Sequence, residues 1–349
     1  MSAAAPTPPQ RVLILKPSSL GDVVGAMPLL RGLRRSFPQA HIAWMVAPPF
    51  ADLLRQEKDL DEVVLFQRKH FGRIGRSLSA TTDFLRFCRD LRRGRFDWVI
   101  DCQGLLRTGF FALATGAAVR AGFADCREKL TQWCYTHAVD VGDGHAVDRN
   151  IRLARALGVD ARPEDFRLTV SDSARTQAEA LLAGRGLRPK GFILAHPGTT
   201  WPNKYYPPRL WRRVVAELSQ DRPFVLTGTA VERALCDELA SAAPDRCANL
   251  AGATTLPQFV AVAAMAAAAV CSDTAANFIA PAVGTSSVAL LGPTPGWYIG
   301  PYGGRGESLQ ADLPCVPCRK RTCRHVTCMQ SIPPEQVCLA VRRILHGAN

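Results

Sequence analysis

The chain has 349 residues, 47% hydrophobic and 21% charged, with a formal net charge of +13. This composition excludes a disordered chain, and the length suits two packed domains. The longest apolar run, residues 259–271, is too short to span a bilayer, and the opening MSAAAPTPPQ lacks the features of a signal peptide. We therefore expect a soluble cytoplasmic protein in which residues 1–10 form a disordered tail.

In the first half of the chain, short β-rich runs alternate with helical patterns, which is typical of a parallel sheet with crossover helices. The predicted strands are residues 12–15, 42–46, 63–66 and 98–101. The predicted helices are residues 23–35, 82–93 and 145–159. These elements predict a Rossmann-like N-terminal domain over residues 11–175.

The same alternation restarts after residues 184–191, GRGLRPKG. The predicted strands are residues 192–195, 224–227, 268–271 and 288–291, and the predicted helices are residues 208–218, 231–242 and 256–265. We therefore predict an α/β protein with two doubly wound domains, the second over residues 176–349. Ligands of such sheets bind outside the carboxyl ends of the strands, so we expect the active site in the cleft between the halves.

Basic residues are concentrated in residues 68–95, where nine Lys and Arg face two Asp. Such a stretch is either a solvated helix face or a contact for an acidic partner such as anionic lipid, nucleic acid or a phosphorylated substrate. Aromatic residues make up only 7% of the chain and do not interleave with these arginines. Since a nucleic-acid stacking platform needs them, the pattern disfavours nucleic acid.

Polar loops follow most of the predicted strands. Their sequences are KPSSLGD (16–22), DCQGLLRT (101–108), HPGTTWPNK (196–204), TGTAVE (227–232), SDTAAN (272–277) and GPTPGWYIGPYG (292–303). One such loop is ordinary turn chemistry, but several on the same side of two sheets indicate a binding site. HPGTT with Lys204, and SDTAAN, resemble anion cradles. Neither G-x-G-x-x-G nor a P-loop occurs, which disfavours a nicotinamide dehydrogenase and a P-loop NTPase.

The order of the motifs KPSSLGDVV, DCQGLLRTG, HAVDR, HPGTTWPNKYYP, SDT, GPT and GPYG resembles glycosyltransferase family 9 over nearly the whole chain. The resemblance implies the GT-B architecture, in which two Rossmann-like domains face each other across a cleft and the C-terminal one binds the nucleotide-sugar. It implies inverting transfer of a heptose, or a related sugar, from an ADP-sugar to the lipopolysaccharide inner core. The acceptor would be an anionic lipid-linked oligosaccharide at the inner membrane face. Neither a nucleic-acid partner nor a catalytic cofactor is expected.

On the acceptor side, Asp22 matches the catalytic base of the family. The resemblance also implies that Ser18 and Ser19 line the acceptor side and that Gly21 lets the backbone lean toward the substrate. A carboxylate at this corner has a second, purely structural interpretation, in which Asp22 only caps its helix.

On the donor side, the resemblance assigns binding to Thr199, Thr200, Lys204, Glu232, Asp273, Thr274 and Ala275. Lys204 would hold the diphosphate and neutralise charge on the leaving ADP, which makes it the second catalytic residue. Glu232 would accept the ribose hydroxyls. The family has D-[ST]-G-x-x-H where this chain has DTAANF, so Ala275 and Phe278 replace a glycine and a histidine. This departure favours a changed donor sugar or a degenerate enzyme.

Four of the twelve cysteines, Cys315, Cys318, Cys323 and Cys328, are clustered with C-x2-C-x4-C-x4-C spacing. Four thiolates at this spacing predict a structural Zn or Fe site in an inserted finger ahead of a C-terminal helix. The alternative is a loop of reduced thiols. The cluster also suits a second function, a non-catalytic sugar-nucleotide or nucleic-acid binding protein with a cysteine-rich finger.

Overall fold

The computed structural model describes residues 6–347. The chain divides into two compact units, Met1–Phe166 and Arg167–Asn349. The predicted boundary between residues 175 and 176 lies later in the chain, inside a helix of the second unit. Residues 1–5 of the predicted tail lie outside the described residues. Residues 6–10 are not a loose tail, because Trp98 Nε1 donates to the Thr7 carbonyl over 3.0 Å and Pro9 is buried.

The first unit contains a six-stranded parallel sheet of order β3-β2-β1-β4-β5-β6. Its strands are β1 (Arg11–Leu15), β2 (His41–Val46), β3 (Glu62–Leu65), β4 (Trp98–Asp101), β5 (Val119–Phe123) and β6 (His137–Val139). Its helices are α1 (Leu20–Gly25), α2 (Met27–Ser36), α3 (Ala51–Leu54), α4 (Arg68–Phe71), α5 (Leu78–Arg93), α6 (Leu106–Thr115) and α7 (Ala146–Ala156). The strand order reverses between β1 and β4, and the crevice at such a point is where doubly wound sheets bind ligands.

The second unit repeats this plan with the order β12-β11-β10-β7-β8-β9. Its strands are β7 (Ile193–His196), β8 (Phe224–Leu226), β9 (Cys247–Asn249), β10 (Ala268–Ser272), β11 (Ser287–Leu291) and β12 (Gly306–Gln310). Its helices are α8 (Asp172–Ala183), α9 (Pro208–Leu218), α10 (Arg233–Ala240), α11 (Leu256–Met265), α12 (Ala276–Ala282), α13 (Gly296–Ile299), α14 (Thr327–Gln330) and α15 (Pro334–Gly347). Here the strand order reverses between β7 and β10.

Short 3-10 segments complete the two units. They are Pro48–Phe50, Lys129–Cys134, Pro163–Asp165, Pro202–Lys204, Ala230–Glu232 and Pro244–Arg246.

Among residues 6–347, every helix falls short of the length and apolar character that crossing a bilayer requires. The two six-stranded parallel sheets with their crossover helices confirm the predicted α/β class with two doubly wound units.

The predicted helix over residues 23–35 is two helices. α1 ends at Gly25 and α2 begins at Met27, with Pro28 in its first turn. Proline lacks the N–H that an uninterrupted helix needs, so the chain starts a new helix there. The break keeps α1 short and places Asp22 on a single turn directly after β1.

Candidate active site

Asp22 lies at the third position of α1, at the carboxyl end of β1. Its Oδ2 accepts the Ser19 backbone N–H over 2.9 Å and the Ser19 hydroxyl over 2.7 Å. Asp22 therefore caps the helix, as the structural interpretation predicted. Oδ1 makes no such bond; it lies 3.8 Å from Lys16 Nζ, and the side chain is 39% exposed. Oδ2 fixes the carboxylate while Oδ1 accepts no hydrogen bond, so capping leaves one oxygen available to accept a proton.

Lys16 is a neighbour of Asp22 that sequence reasoning missed. Its buried ammonium donates to the Cys102 carbonyl over 2.6 Å, which ties the loop after β1 to the loop after β4. A lysine directly after an apolar strand was the available signal, because such a buried cation needs a partner. Lys16 holds a positive charge 3.8 Å from Asp22 Oδ1.

Asp101 supports the same crevice from β4 and is fully buried. One carboxylate oxygen accepts the backbone N–H groups of Gln103 and Gly104, and the other accepts the Tyr135 hydroxyl over 2.8 Å. Burial raises the pKa of Asp101, against the lowering effect of these hydrogen bonds. Both carboxylate oxygens of Asp101 accept hydrogen bonds that hold the loop after β4, so the role of this residue is structural.

The other predicted acceptor-side residues lie in the same loop. Ser19 is exposed, and the Ser18 N–H donates to Gln103 Oε1 over 3.4 Å. Gly21 is a buried residue inside α1 with ordinary helical backbone. The corner is therefore formed by the residues before α1, and Gly21 does not supply a glycine-only turn.

Three predicted donor-side residues meet where the strand order of the second sheet reverses. The Thr199 hydroxyl, in the loop after β7, donates to the Asp273 carbonyl over 2.9 Å. Lys204 Nζ lies 2.9 Å from Asp273 Oδ2, and the two side chains are 12% and 5% exposed. The loops after β7 and β10 are thus joined by a hydrogen bond and an ion pair at the expected crevice.

Glu232 lies beside this cluster, at the end of the loop after β8. Its Oε2 accepts the Thr229 N–H over 2.6 Å and also the Thr229 hydroxyl. A Cβ on Gly198 would lie 2.7 Å from the Glu232 carboxyl carbon, so only glycine lets the loop after β7 approach this closely. Gly198 therefore brings Glu232 next to the Thr199 loop.

The remaining donor-side residues lie in these same loops. Thr200 is exposed, whereas Thr274 and Ala275 are half-buried. The N-cap of α12 is Ala275, so Asp273 is not the cap of that helix. Phe278, which stands where the resemblance implies a histidine, is buried in α12. Phe278 therefore belongs to the core of the second unit.

His196 ends β7 next to the donor loops, and its burial makes the stability of the protein depend on pH. It packs 5.3 Å from the Phe259 ring, and Nδ1 lies 3.1 Å from the Thr227 hydroxyl, which itself donates to the Ala195 carbonyl. Burial lowers the pKa of His196 to about 4, although the Glu232 charge acts to raise it. The ring is neutral at pH 7.

We expect acid to destabilise the protein through His196. Because its folded pKa lies below the unfolded value of about 6.5, the unfolded chain binds the extra proton, and stability falls as the pH drops from 6.5 toward 4. Between pH 7 and 5 the wild type should lose about 2 kcal/mol more than His196→Gln, which does not titrate. Denaturant unfolding at both pH values measures this, and equal losses would contradict it.

The four clustered cysteines are not arranged as a metal centre. Across residues 6–347, no group of three or more His, Cys, Asp or Glu side chains is placed to hold a metal ion. Nor is the segment a separate finger, because Cys328 is buried and Val316 and Val326 pack against the core of the second unit. The described residues therefore give no support to a structural metal site. The segment is part of the second unit, so it is not the separate finger on which the alternative of a sugar-nucleotide or nucleic-acid binding protein was based.

The fold is shared with solved structures from bacteria. A heptosyltransferase of E. coli solved with ADP superposes with a TM-score of 0.77 at 22% identity, over 96% of this chain and 99% of that one. A family 9 glycosyl transferase of Veillonella parvula gives 0.80 at 20% identity, over 97% of each chain. The two doubly wound units therefore define a GT-B-type protein.

Sequence comparison narrows this class to one family. Residues 84–328 match the model of glycosyltransferase family 9 (heptosyltransferase). The chain is also 31% identical over 329 residues to lipopolysaccharide heptosyltransferase 1 of Pseudomonas aeruginosa, covering 90% of this chain and 88% of that protein. The protein belongs to glycosyltransferase family 9.

Proposed function

We propose that this enzyme transfers a heptose, or a related sugar, from an ADP-sugar to the lipopolysaccharide inner core with inversion at the anomeric carbon. The observation that carries the proposal is the divided role of Asp22, whose Oδ2 is held by two hydrogen bonds from Ser19 while Oδ1 has none and the side chain is 39% exposed. The names of the relatives, lipopolysaccharide heptosyltransferases, supply the substrate class.

In the proposed reaction, an acceptor hydroxyl attacks the anomeric carbon while the bond from that carbon to the ADP oxygen breaks. The electron pair of the broken bond stays on ADP, and the hydroxyl proton passes to Asp22 Oδ1. A general base must lie within hydrogen-bond reach of the proton it takes. The bonds from Ser19 to Oδ2 support this role because they orient the free oxygen.

The second unit supplies the donor side of the reaction. Lys204 stabilises the charge that develops on the departing diphosphate, so transfer requires no cofactor. Thr199, Thr200 and the loop at residues 273–275 bind the phosphates and sugar, and Glu232 takes the ribose hydroxyls. Two features support this assignment: the contacts joining these loops, and their position at the carboxyl ends of parallel strands.

The direct test measures ADP release by the purified protein given ADP-heptose, with and without a heptose-free lipopolysaccharide core. We expect release that depends on the acceptor, together with a product of inverted anomeric configuration by NMR. Binding of ADP-heptose without acceptor-dependent release would refute the proposed reaction.

We further propose that the enzyme is cytoplasmic and docks on the inner membrane face through α5 and the loop before it. Leu78 and Leu85 are 88% and 58% exposed, and with Arg89 they lie on one face of α5 at helical spacing. Arg73 and Arg76 are exposed in the preceding loop. Exposed leucines flanked by arginines suit an anionic lipid surface.

Neutralising Arg73, Arg76 and Arg89 together to Gln should weaken binding to anionic vesicles about 100-fold, since each basic residue near such a surface contributes about 1 kcal/mol. Cosedimentation with phosphatidylglycerol vesicles measures this. Neutral phosphatidylcholine vesicles should show no difference.

The matched control removes the same charge from the second unit by changing Arg175, Arg185 and Arg188 to Gln. All three are exposed, so the net charge falls equally while α5 is untouched. If both triple variants lose the same affinity, net charge rather than this face drives binding, and the docking proposal is wrong.

A further inference from the structure

The cysteine-rich segment, residues 315–328, is tied by its backbone to the donor-side loop after β7 and to the loop after β11. Asn203 is only 2% exposed, and its Nδ2 donates to the Lys320 carbonyl over 2.8 Å. The neighbouring Arg319 N–H donates to the Pro293 carbonyl, in the loop after β11, over 2.7 Å. These bonds fix residues 319–321 against the loops that follow β7 and β11.

The side chains of this short stretch stack on aromatic rings of the same loops. Arg321 Cζ lies 5.2 Å from the centroid of Trp201, and Lys204 Nζ lies 4.3 Å from the same ring. Arg319 Cζ lies 5.8 Å from the ring of Trp297 and 5.5 Å from that of Tyr298. Cation–π contacts of this kind hold a charged head in place while leaving its N–H groups available.

Arg321 adds positive charge to the donor-side cluster of Thr199, Lys204 and Asp273. Lys204 is paired with Asp273, so part of its positive charge is already offset before a diphosphate binds. The cysteine-rich segment has four Lys and Arg and no acid. Within residues 6–347, no ion pair joins Arg321 to a carboxylate. Arg321 is thus a second cation on the ring of Trp201, and it has no carboxylate partner in the part of the chain that the structure describes. Together with Lys204 it would complement an anion that carries more than one negative charge.

We propose that Arg321 is a second cation of the donor site and binds the diphosphate of a nucleoside diphosphate sugar. This inference rests on the proposed function for the position of the donor. Its planar guanidinium donates two parallel N–H bonds to phosphate oxygens, a geometry that Lys204 cannot supply. The cysteine-rich segment then serves to position a phosphate-binding residue, and its apolar contacts with the core of the second unit hold it there.

The test is calorimetric titration of the full chain with ADP and, separately, with adenosine, which has the same base and ribose without phosphates. Arg321→Gln should raise the Kd for ADP about tenfold or more, the usual loss for one charge-assisted bidentate contact. The Kd for adenosine should not change. Arg321→Lys should recover part of the loss, because it keeps the charge without the fork.

The matched control is Arg324→Gln, which removes one exposed charge from the same segment and should bind ADP as the wild type does. Unchanged ADP affinity in Arg321→Gln would overturn the inference. So would an equal loss of ADP and adenosine affinity, since Arg321 would then only support the loop. A wild type that binds no ADP would overturn the proposed donor site itself, and this inference with it.

Discussion

Asp22→Asn is expected to lower kcat by about 10²–10⁴-fold, the usual contribution of a general base. The asparagine oxygen can accept the same two bonds from Ser19, so the helix cap is kept while the ability to take a proton is lost. The KM for ADP-heptose should change little, because the donor residues lie in the second unit. Acceptor-dependent ADP release at varied donor concentration measures both quantities.

The two interpretations of Asp22 are separated by comparing Asn with Ala. Asp22→Ala removes the base and the cap together, so it should also lose about 1 kcal/mol of stability. Asp22→Asn should unfold at nearly the wild-type temperature. If Asn retains activity and Ala does not, the carboxylate acts only as a cap, and the base is a different group.

The central strands of both sheets could be predicted because parallel strands covered on both faces are almost uniformly apolar. β1 and β10 are examples, with residues 12–15 and 268–272 buried. Helices α9 and α11 agree with their predicted bounds, since Pro208 opens the first and Thr255 caps the second. Proline at the first helical position and threonine at the N-cap are signals that the chain carries locally.

The edge strands β6, β9 and β12, and β5 next to β6, were not predicted. Their sequences VRAGF, HAV, CAN and GESLQ are short or rich in polar and small residues, and most of their residues are only half-buried. Helix α8 was not predicted either, because its sequence DSARTQAEALLA is only weakly amphipathic. Pairing with a neighbouring strand supplies what such sequences lack, and pairing is not visible in a local pattern.

The candidate site shows the same division between local and long-range information. Asp22, Thr199, Lys204 and Asp273 lie in the polar segments that follow apolar strands, so these segments could be identified from the sequence. The contact of Lys16 with the Cys102 carbonyl and that of Arg321 with Trp201 join residues far apart in the chain. Only the fold shows that these cations lie beside the residues already selected.

The second large effect is expected for Lys204→Met. This substitution should lower kcat about 10²–10³-fold, because positive charge at the leaving diphosphate is lost. The substitution also leaves Asp273, which is 5% exposed, without its ion-pair partner. Breaking one side of a buried pair costs about 3–5 kcal/mol of stability. Loss of activity in this variant alone would therefore combine a chemical effect with a structural one.

Adding Asp273→Asn separates the two effects of Lys204→Met. The double variant buries no unpaired charge, so its unfolding temperature should return toward that of the wild type. The effect of Lys204 on catalysis is then given by the ratio of kcat between Asp273→Asn and the double variant. A ratio near 100 or above is expected if Lys204 acts on the leaving group. A ratio near one would mean that Lys204 only neutralises Asp273, and stabilisation of the departing ADP would then have to come from another cation.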